Sequence, residues 1–254
     1  MLDKGTKRLP YGSSNFGRLI SDNYIYIDKT RFIELLENES NPYQFFIRPR
    51  KFGKSLFFSI LDHYYDLNRA DDFERLFGDF YIGKHPTPGR NGYLIMQFDF
   101  SGLNTSSAEL FAADFSKKVE LTIDSFLSTY RNIIPQVDKF IKQIVDEKLG
   151  IRSLEVAYNA AKEAGKQIFI LIDEYDHFAN DLIAMGSHTG DDVYKKMVRA
   201  NGLVRDFYET LKTATKTVLG RIFITGISPV MLDDLTSGFN IAVNLTLKLK
   251  YNEM

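Results

Sequence analysis

No cysteine and no tryptophan occur among the 254 residues. Without thiols there is no disulfide scaffold, no thiolate metal centre and no cysteine nucleophile, and the expected compartment is a reducing one, the cytoplasm. Histidine is scarce: His63, His85, His177 and His188 stand apart, with no HxxxH-like spacing to mark a metal centre. No run approaches the roughly 20 apolar residues of a membrane helix. The opening MLDKGTKRLPYGSSNFGRLI holds no apolar stretch of signal-peptide length, so no membrane association is expected. Nor is there an excess of one charge: 32 Lys and Arg against 33 Asp and Glu leave a formal net charge of -1, so no global field attracts nucleic acid or anionic lipid. Repeats and low-complexity tracts are missing too.

What is present is 44% hydrophobic residues, enough at this length to bury one α/β core. Five apolar runs have strand character: Gln44 to Ile47, Tyr93 to Phe100, Gln167 to Ile172, Arg221 to Thr225 and Ile241 to Leu247. IFILI and RIFIT do not alternate, which predicts strands covered on both faces, as in a parallel sheet flanked by helices. Between them, Val193, Met197, Ala200, Val204, Phe207 and Leu211 form one helical stripe over Asp192 to Thr213. Leu56, Ile60, Tyr64 and Leu67 form another. GKHPTPGRNG at 83–92 and MGSHTGDD at 185–192 read as loops. The expectation is an α/β three-layer sandwich with a mainly parallel five-stranded sheet, residues 1–254 forming a single domain with 1–40 an N-terminal extension packed on it.

The stretch FFIRPRKFGKSLFF, Phe45 to Phe58, holds an apolar strand, four positive charges (Arg48, Arg50, Lys51 and Lys54) of which the last falls within GKS, and a second apolar run. A phosphate loop needs a strand, a tight turn whose N–H groups converge on phosphate oxygens, and a helix N-terminus facing the same anion. Lys54 has the identity of the lysine that reaches the β and γ phosphates, and Ser55 that of the hydroxyl that ligates Mg²⁺. Against the pattern GxxxxGK[ST], Arg48 stands where the first glycine would be. Gly53 matters more, because the backbone approaches the phosphates most closely there. Pro49 favours an extended conformation for Arg48. A basic surface loop leading into a helix is the alternative reading of this stretch taken alone.

The second signal is IFILIDEYD at 168–176, a hydrophobic strand ending in adjacent carboxylates. Asp173 is placed to serve the magnesium and Glu174 to polarise water; taken alone, DE after a strand is equally a helix N-cap with a first-turn acid. Ser55 and Asp173 lie 118 residues apart, and the pair together describes a Mg-nucleotide site. A third element is GRIFITGISPV at 220–230. If its strand packs between the other two, Thr225 faces the γ phosphate as a sensor, with Ser228 the weaker candidate; β propensity alone also explains a threonine there.

These residues carry a resemblance. YIYIDKT at 24–30, FIRPRKFGKSLF at 46–57, FDFSG at 98–102, LIDEYD at 171–176 and FITGISPVMLDDLTSGFNIAVNLT at 223–246 resemble, in that order, the bacterial AAA-ATPase-like family. The resemblance spans nearly the whole chain and implies a P-loop fold of the additional-strand, catalytic-glutamate type, ATP binding with Mg²⁺, and arginine as the usual residue at 48. It also implies a C-terminal region similar to PD-(D/E)xK nucleases, of which these residues hold no trace. Lys51 departs from the usual arginine and would make a single-point contact. Asp28, Lys29, Thr30, Asp99 and Asp176 belong to the motifs without a role that their chemistry discloses, although Asp28 or Thr30 would suit the cap of a helix through Phe32 and Leu36.

The resulting expectation is an ATPase. Arg48, Arg50, Lys51, Phe52, Gly53, Lys54, Ser55 and Leu56 line the triphosphate, Ser55 and Asp173 hold Mg²⁺, and Glu174 orients water with Lys54, Thr225 and Arg50 in support. Arg48, Arg50 or an arginine from another subunit supplies the transition-state charge, so turnover by the lone chain is slow. A nucleotide-controlled interaction module serving a neighbouring domain or protein stays open as an alternative. Nucleic-acid binding rests only on the basic run Arg48 to Lys54, which the phosphates already require. A kinase is disfavoured by Glu174. Oligomeric state is left open.

Overall fold

A computed structural model describes residues 7–147, 149–184, 194, 196–198, 202–230 and 239–254. Five strands, β1 (Tyr43–Ile47), β2 (Tyr93–Asp99), β3 (Gln167–Asp173), β4 (Leu219–Gly226) and β5 (Val243–Asn244), form one sheet in the order β2-β3-β4-β1-β5. Every pairing is parallel. Five helices precede β2: α1 (Phe16–Ser21), α2 (Arg31–Glu37), α3 (Lys54–Tyr65), α4 (Phe73–Phe77) and α5 (Tyr81–Lys84). After it come α6 (Ala108–Thr129), α7 (Val137–Glu147), α8 (Ser153–Glu163), α9 (His177–Ala184) and α10 (Leu203–Ala214).

The apolar strands face two cores. Along β3, Ile168, Ile170 and Ile172 pack with α6, α8 and α10, while Phe169 and Leu171 pack with the opposite group, α1 to α4. A strand buried on both sides has no polar face to show, which is why IFILI does not alternate. Phe16 of α1 is fully buried in the second core, and burial of a side chain of that size contributes roughly 1.5–3 kcal/mol.

Two elements differ from the sequence reading. The stripe over Asp192 to Thr213 is not one helix: α10 begins at Leu203, and Gly202 before it is extended, with φ -73° and ψ 147°. The loop reading at 185–192, Asp192 included, lies outside the described residues, as do Val193 and Ala200. The last strand is two residues long rather than seven. Asn244 Oδ1 accepts from the Thr246 N–H at 2.9 Å, a local turn that ends the ladder, and Thr246 Oγ1 then takes the Ile47 N–H at 3.0 Å.

Register gathers the carboxyl ends of the central strands. Ile47 stands opposite Gly226, Phe46 opposite Thr225, and Asp99 opposite Asp173. Because β4 lies between β1 and β3, the chain changes direction across the sheet at this edge, where parallel α/β sheets offer a crevice.

Candidate functional site

At that edge β1 leads through residues 48–53 into α3. Lys51 at φ 68° and Gly53 at φ 79° are left-handed on either side of Phe52, the kind of turn that points successive N–H groups into one concavity. A Cβ on Gly53 would meet no atom within 4 Å. Positive φ and open space in front of it, not crowding by protein, therefore call for glycine here. No side chain caps α3, so its first N–H groups are free for an anion.

Four predicted residues converge on this helix start. Ser55 Oγ donates to Asp173 Oδ2 at 3.0 Å, and Asp173 Oδ1 accepts the Glu174 N–H at 2.9 Å. Burial pushes the Asp173 carboxyl above its ordinary range, against the pull of Ser55 and the Glu174 amide. Lys54 Nζ donates to the Pro49 carbonyl at 3.0 Å. Its pKa is lowered first by burial, with the carboxylates of Asp173, Glu174 and Asp176 opposing and Arg50 reinforcing the shift. Arg50 is thus close enough for Lys54 to feel it; it is exposed and makes no hydrogen bond among the described residues. Glu174 has φ 51°, a left-handed conformation that costs a non-glycine residue about 1 kcal/mol or more.

Thr225 is fully buried, and its Oγ1 has no hydrogen-bond partner among the described residues. It lies on the α3 side of β4, with Phe223 and Phe46. Ser228 is engaged elsewhere: its Oγ donates to Asn180 Oδ1 at 3.1 Å. Phe52 and Leu56 border a separate apolar pocket, and Lys51 is exposed.

Arg48 does not face this crevice. Its guanidinium donates to the carbonyls of Ile47 at 3.1 Å, Thr246 at 2.9 Å and Tyr251 at 2.9 Å, and it stacks over Phe46 at 4.3 Å. The expectation of a phosphate clamp at 48 is corrected accordingly. A planar fork with several donors is suited to carbonyls converging from two segments, and here it ties β1 to the C-terminal segment.

Four of the motif residues without an assigned chemistry, Asp28, Lys29, Thr30 and Asp176, prove to be structural ties. Both Asp176 oxygens accept backbone N–H groups just beyond β4, from Ile227 at 3.1 Å and Ser228 at 2.6 Å, fixing the turn after β3 to the exit of β4. Asp28 Oδ1 accepts from the Thr30 hydroxyl at 2.6 Å, while its Oδ2 takes the Tyr81 N–H at 2.8 Å. Thr30 Oγ1 accepts the Ile82 N–H at 3.2 Å. The pair therefore caps α5, not the helix that follows it in sequence. Lys29 Nζ donates to the Glu253 carbonyl. Asp99 lines a polar cavity of about 400 Å³ with Ser55, Ser59, Asp62, Gln97 and Asp173.

One residue of the site escapes sequence reasoning. His177, at the start of α9, places Nε2 3.8 Å from Glu174 Oε2 and Nδ1 3.1 Å from Asp181 Oδ2. The spacing Glu-x-x-His on a turn and helix start was the available signal. Among the described residues no group of three or more His, Cys, Asp or Glu is placed to hold a metal ion, and no helix is long and apolar enough to cross a membrane. Ser55 and Asp173 do bring two hard oxygens together, a donor set that suits Mg²⁺, which commonly takes one or two protein ligands and fills its remaining positions with phosphate and water.

A protein described as "Uncharacterized protein in vnfD 5'region", from Azotobacter chroococcum mcd 1, is 25% identical over 255 residues, covering 98% of this chain and 42% of its own length. The chain thus spans less than half of that relative. No solved structure matches. The model of a family described as "Predicted AAA-ATPase" matches residues 10–236, and the chain belongs to this AAA-ATPase-like family.

Proposed function

We propose that the protein binds ATP with Mg²⁺ and hydrolyses it, as a P-loop ATPase of the branch in which an added strand separates the phosphate-loop strand from the strand bearing the catalytic glutamate. The observation that carries this reading is the 3.0 Å contact between Ser55 Oγ and Asp173 Oδ2 at the uncapped start of α3. The order β3-β4-β1 and the family membership support it.

In this reading the amides of residues 50–55 and the Lys54 ammonium hold the triphosphate. Ser55 and Asp173 hold Mg²⁺, which when bound neutralises charge on the β and γ oxygens. Glu174 orients a water for in-line attack on the γ phosphorus and takes up its proton as the bond to the bridging oxygen breaks, giving ADP and phosphate. His177, beside Glu174, sets the position of that carboxylate. Thr225 contributes a hydroxyl beneath the γ phosphate. Arg50 or an arginine from another molecule supplies positive charge; without the latter, turnover is slow, since an arginine finger in trans is worth about 10³ to 10⁵ in rate.

The test is phosphate release by the wild type, Lys54→Ala and Glu174→Gln, with calorimetry of Mg-ATP binding. Equal residual activity in all three, with no binding by the wild type, rules the proposal out.

A second reading, a nucleotide-controlled module that signals to a neighbouring domain or partner, is favoured by Arg48, which links the strand entering the phosphate loop to residues 246–251. Tight ATP binding without phosphate release would select it.

A further inference from the structure

We propose that Asp99, at the end of β2, is a positioning residue for the magnesium ion: its carboxylate accepts hydrogen bonds from metal-bound water and does not touch the metal itself. This rests on the reading of Ser55 and Asp173 as the Mg²⁺ ligands.

Neither the phosphate loop nor the structural ties employ Asp99. In the parallel ladder of β2 and β3 it stands directly opposite Asp173. Residues paired in this way share a face of the sheet and are separated by one strand spacing, about 4.8 Å. That face is the one that meets α3: by the strand's period of two Asp99 sides with Ile95, and Asp173 with Phe169, both of which pack in the α1 to α4 core. The two carboxylates and the Ser55 hydroxyl accordingly border one cavity of about 400 Å³, with Asp62 and Gln97 further along its wall.

One strand spacing is too wide for a shared inner coordination sphere and suits a shared water. Two oxygens on adjacent corners of an Mg²⁺ octahedron lie about 3 Å apart, a separation that Ser55 Oγ and Asp173 Oδ2 meet at 3.0 Å. An oxygen that reaches the metal through a water adds a hydrogen bond of about 2.7 Å to a bond of about 2.1 Å, which spans the step from β3 to β2. Mg²⁺ dehydrates reluctantly and keeps several waters, and the cavity beside Ser55 and Asp173 has room for them. Asp99 is free to receive them. Its Oδ1 accepts the Ser101 N–H at 2.8 Å, which fixes the turn after β2, while Oδ2 makes no hydrogen bond or ion pair among the described residues. Asp62, the third carboxylate of the cavity, is by contrast committed to Arg69 at 3.3 Å and Gln97 at 2.6 Å. Asp99 and Asp173 are thus like charges on neighbouring strands, and a dication in the cavity they share is the counter-charge that both lack.

Electron paramagnetic resonance of Mn²⁺, which takes the same oxygen ligands as Mg²⁺, tests the assignment without turnover. The proteins are the wild type, Asp99→Asn and Asp173→Asn, each with a saturating non-hydrolysable ATP analogue. Asn at 99 keeps an oxygen for the Ser101 N–H and removes the charge. Expected for Asp99→Asn is a loss of Mn²⁺ affinity of about tenfold or more, the usual effect of removing an outer-shell partner, with no fall in Tm and an unchanged number of Mn²⁺-bound waters, counted by line broadening in isotopically labelled water. One more water on the metal in Asp99→Asn makes Asp99 a direct ligand and overturns the proposal. So does a smaller loss of affinity: if Asp173→Asn still releases the metal, Asp99 then serves only the turn after β2, and the Mg²⁺ site stands without it. A wild type that binds the analogue no more tightly with Mn²⁺ than without it overturns the Mg-nucleotide reading itself.

Discussion

Ser55 on α3 and Asp173 at the end of β3 are 118 residues apart in sequence, yet their side chains meet in a 3.0 Å hydrogen bond. Neither element could make the contact alone. The parallel register of β1 and β3 across β4 brings both carboxyl ends to one edge, and α3 begins where that edge and the left-handed Gly53 leave its N–H groups open.

Asp173→Asn and Ser55→Ala should therefore fail in the same way. Each removes one hard oxygen from the Mg²⁺ position while leaving the phosphate loop folded. Hydrolysis is expected to fall about 10²- to 10³-fold in Asp173→Asn, with a smaller loss in Ser55→Ala, and the Mg²⁺ concentration giving half-maximal rate should rise in both. An unchanged Mg²⁺ dependence in Asp173→Asn would remove that carboxylate from the metal position.

His177 and Glu174 offer a different separation of effects. Their side chains approach to 3.8 Å, so His177→Asn should lower kcat about tenfold while leaving KM for ATP unchanged, the pattern of a group that acts only at the transition state. A parallel change in KM would make His177 a binding residue instead.

Arg48→Met should destabilise the fold by about 2–3 kcal/mol, because it removes charge-assisted hydrogen bonds to carbonyls of two segments. For a chain of this size that is a fall of roughly 5–10 °C in Tm by calorimetry. Arg48→Lys should not restore it, since an ammonium lacks the planar fork that reaches Thr246 and Tyr251 together.

The meeting of Ser55 with Asp173 was legible because each residue lies at one end of an apolar run whose pattern is local. GKS after one apolar run and DE after another mark a turn into a helix and an acidic strand end, and four of the five strands follow from runs long enough to cross a sheet buried on both faces. The direction of Arg48 was not legible, because it depends on carbonyls about 200 residues away, at and beyond the end of the last apolar run. The helix boundary at Gly202 was hidden by apolar spacing that continues through a break in the backbone. Asp176 stands in a sequence motif that discloses no role for it, and only the position of the Ile227 and Ser228 amides reveals it as a tie between turns. A long-range partner decides each of these, and periodicity carries no information about such partners.

Two glycines, Gly53 at the start of α3 and Gly226 at the end of β4, separate folding from binding. A Cβ on Gly226 would overlap Asp176 Oδ1 and lie 2.5 Å from Tyr175 Cδ1, and Asp176 cannot yield without losing its amide partners. Gly226→Ala should cost about 2–4 kcal/mol. Gly53→Ala meets no atom and adds only the left-handed strain of about 1 kcal/mol, so it should keep most of the thermal stability and lose Mg-ATP affinity. Thermal denaturation beside calorimetry distinguishes the two, and similar losses of Tm in both would refute the open space in front of Gly53.

A last prediction concerns pH and two neighbours on α3, Asp62 and His63. Burial raises the Asp62 carboxyl to about 6, with Arg69 and Gln97 pulling it down and Asp66 pushing it up. Burial lowers His63 to about 4, against the Ser59 carbonyl that its Nδ1 faces at 2.7 Å. The signs oppose. The folded state holds the Asp62 proton more tightly than the unfolded chain does, so that contribution is complete below about pH 4 and is lost as pH rises through about 6. The folded state holds the His63 proton less tightly, so its contribution is complete above about pH 6.5 and is lost as pH falls through about 4. In the wild type the two slopes, each up to about 1.4 kcal/mol per pH unit, largely cancel between pH 4 and 6. Asp62→Asn should expose the histidine slope, with urea stability rising from pH 4 to 6.5, and His63→Gln the carboxyl slope, with stability falling from pH 4 to 6. Two variants with the same pH profile as the wild type would show that neither group titrates differently in the folded chain.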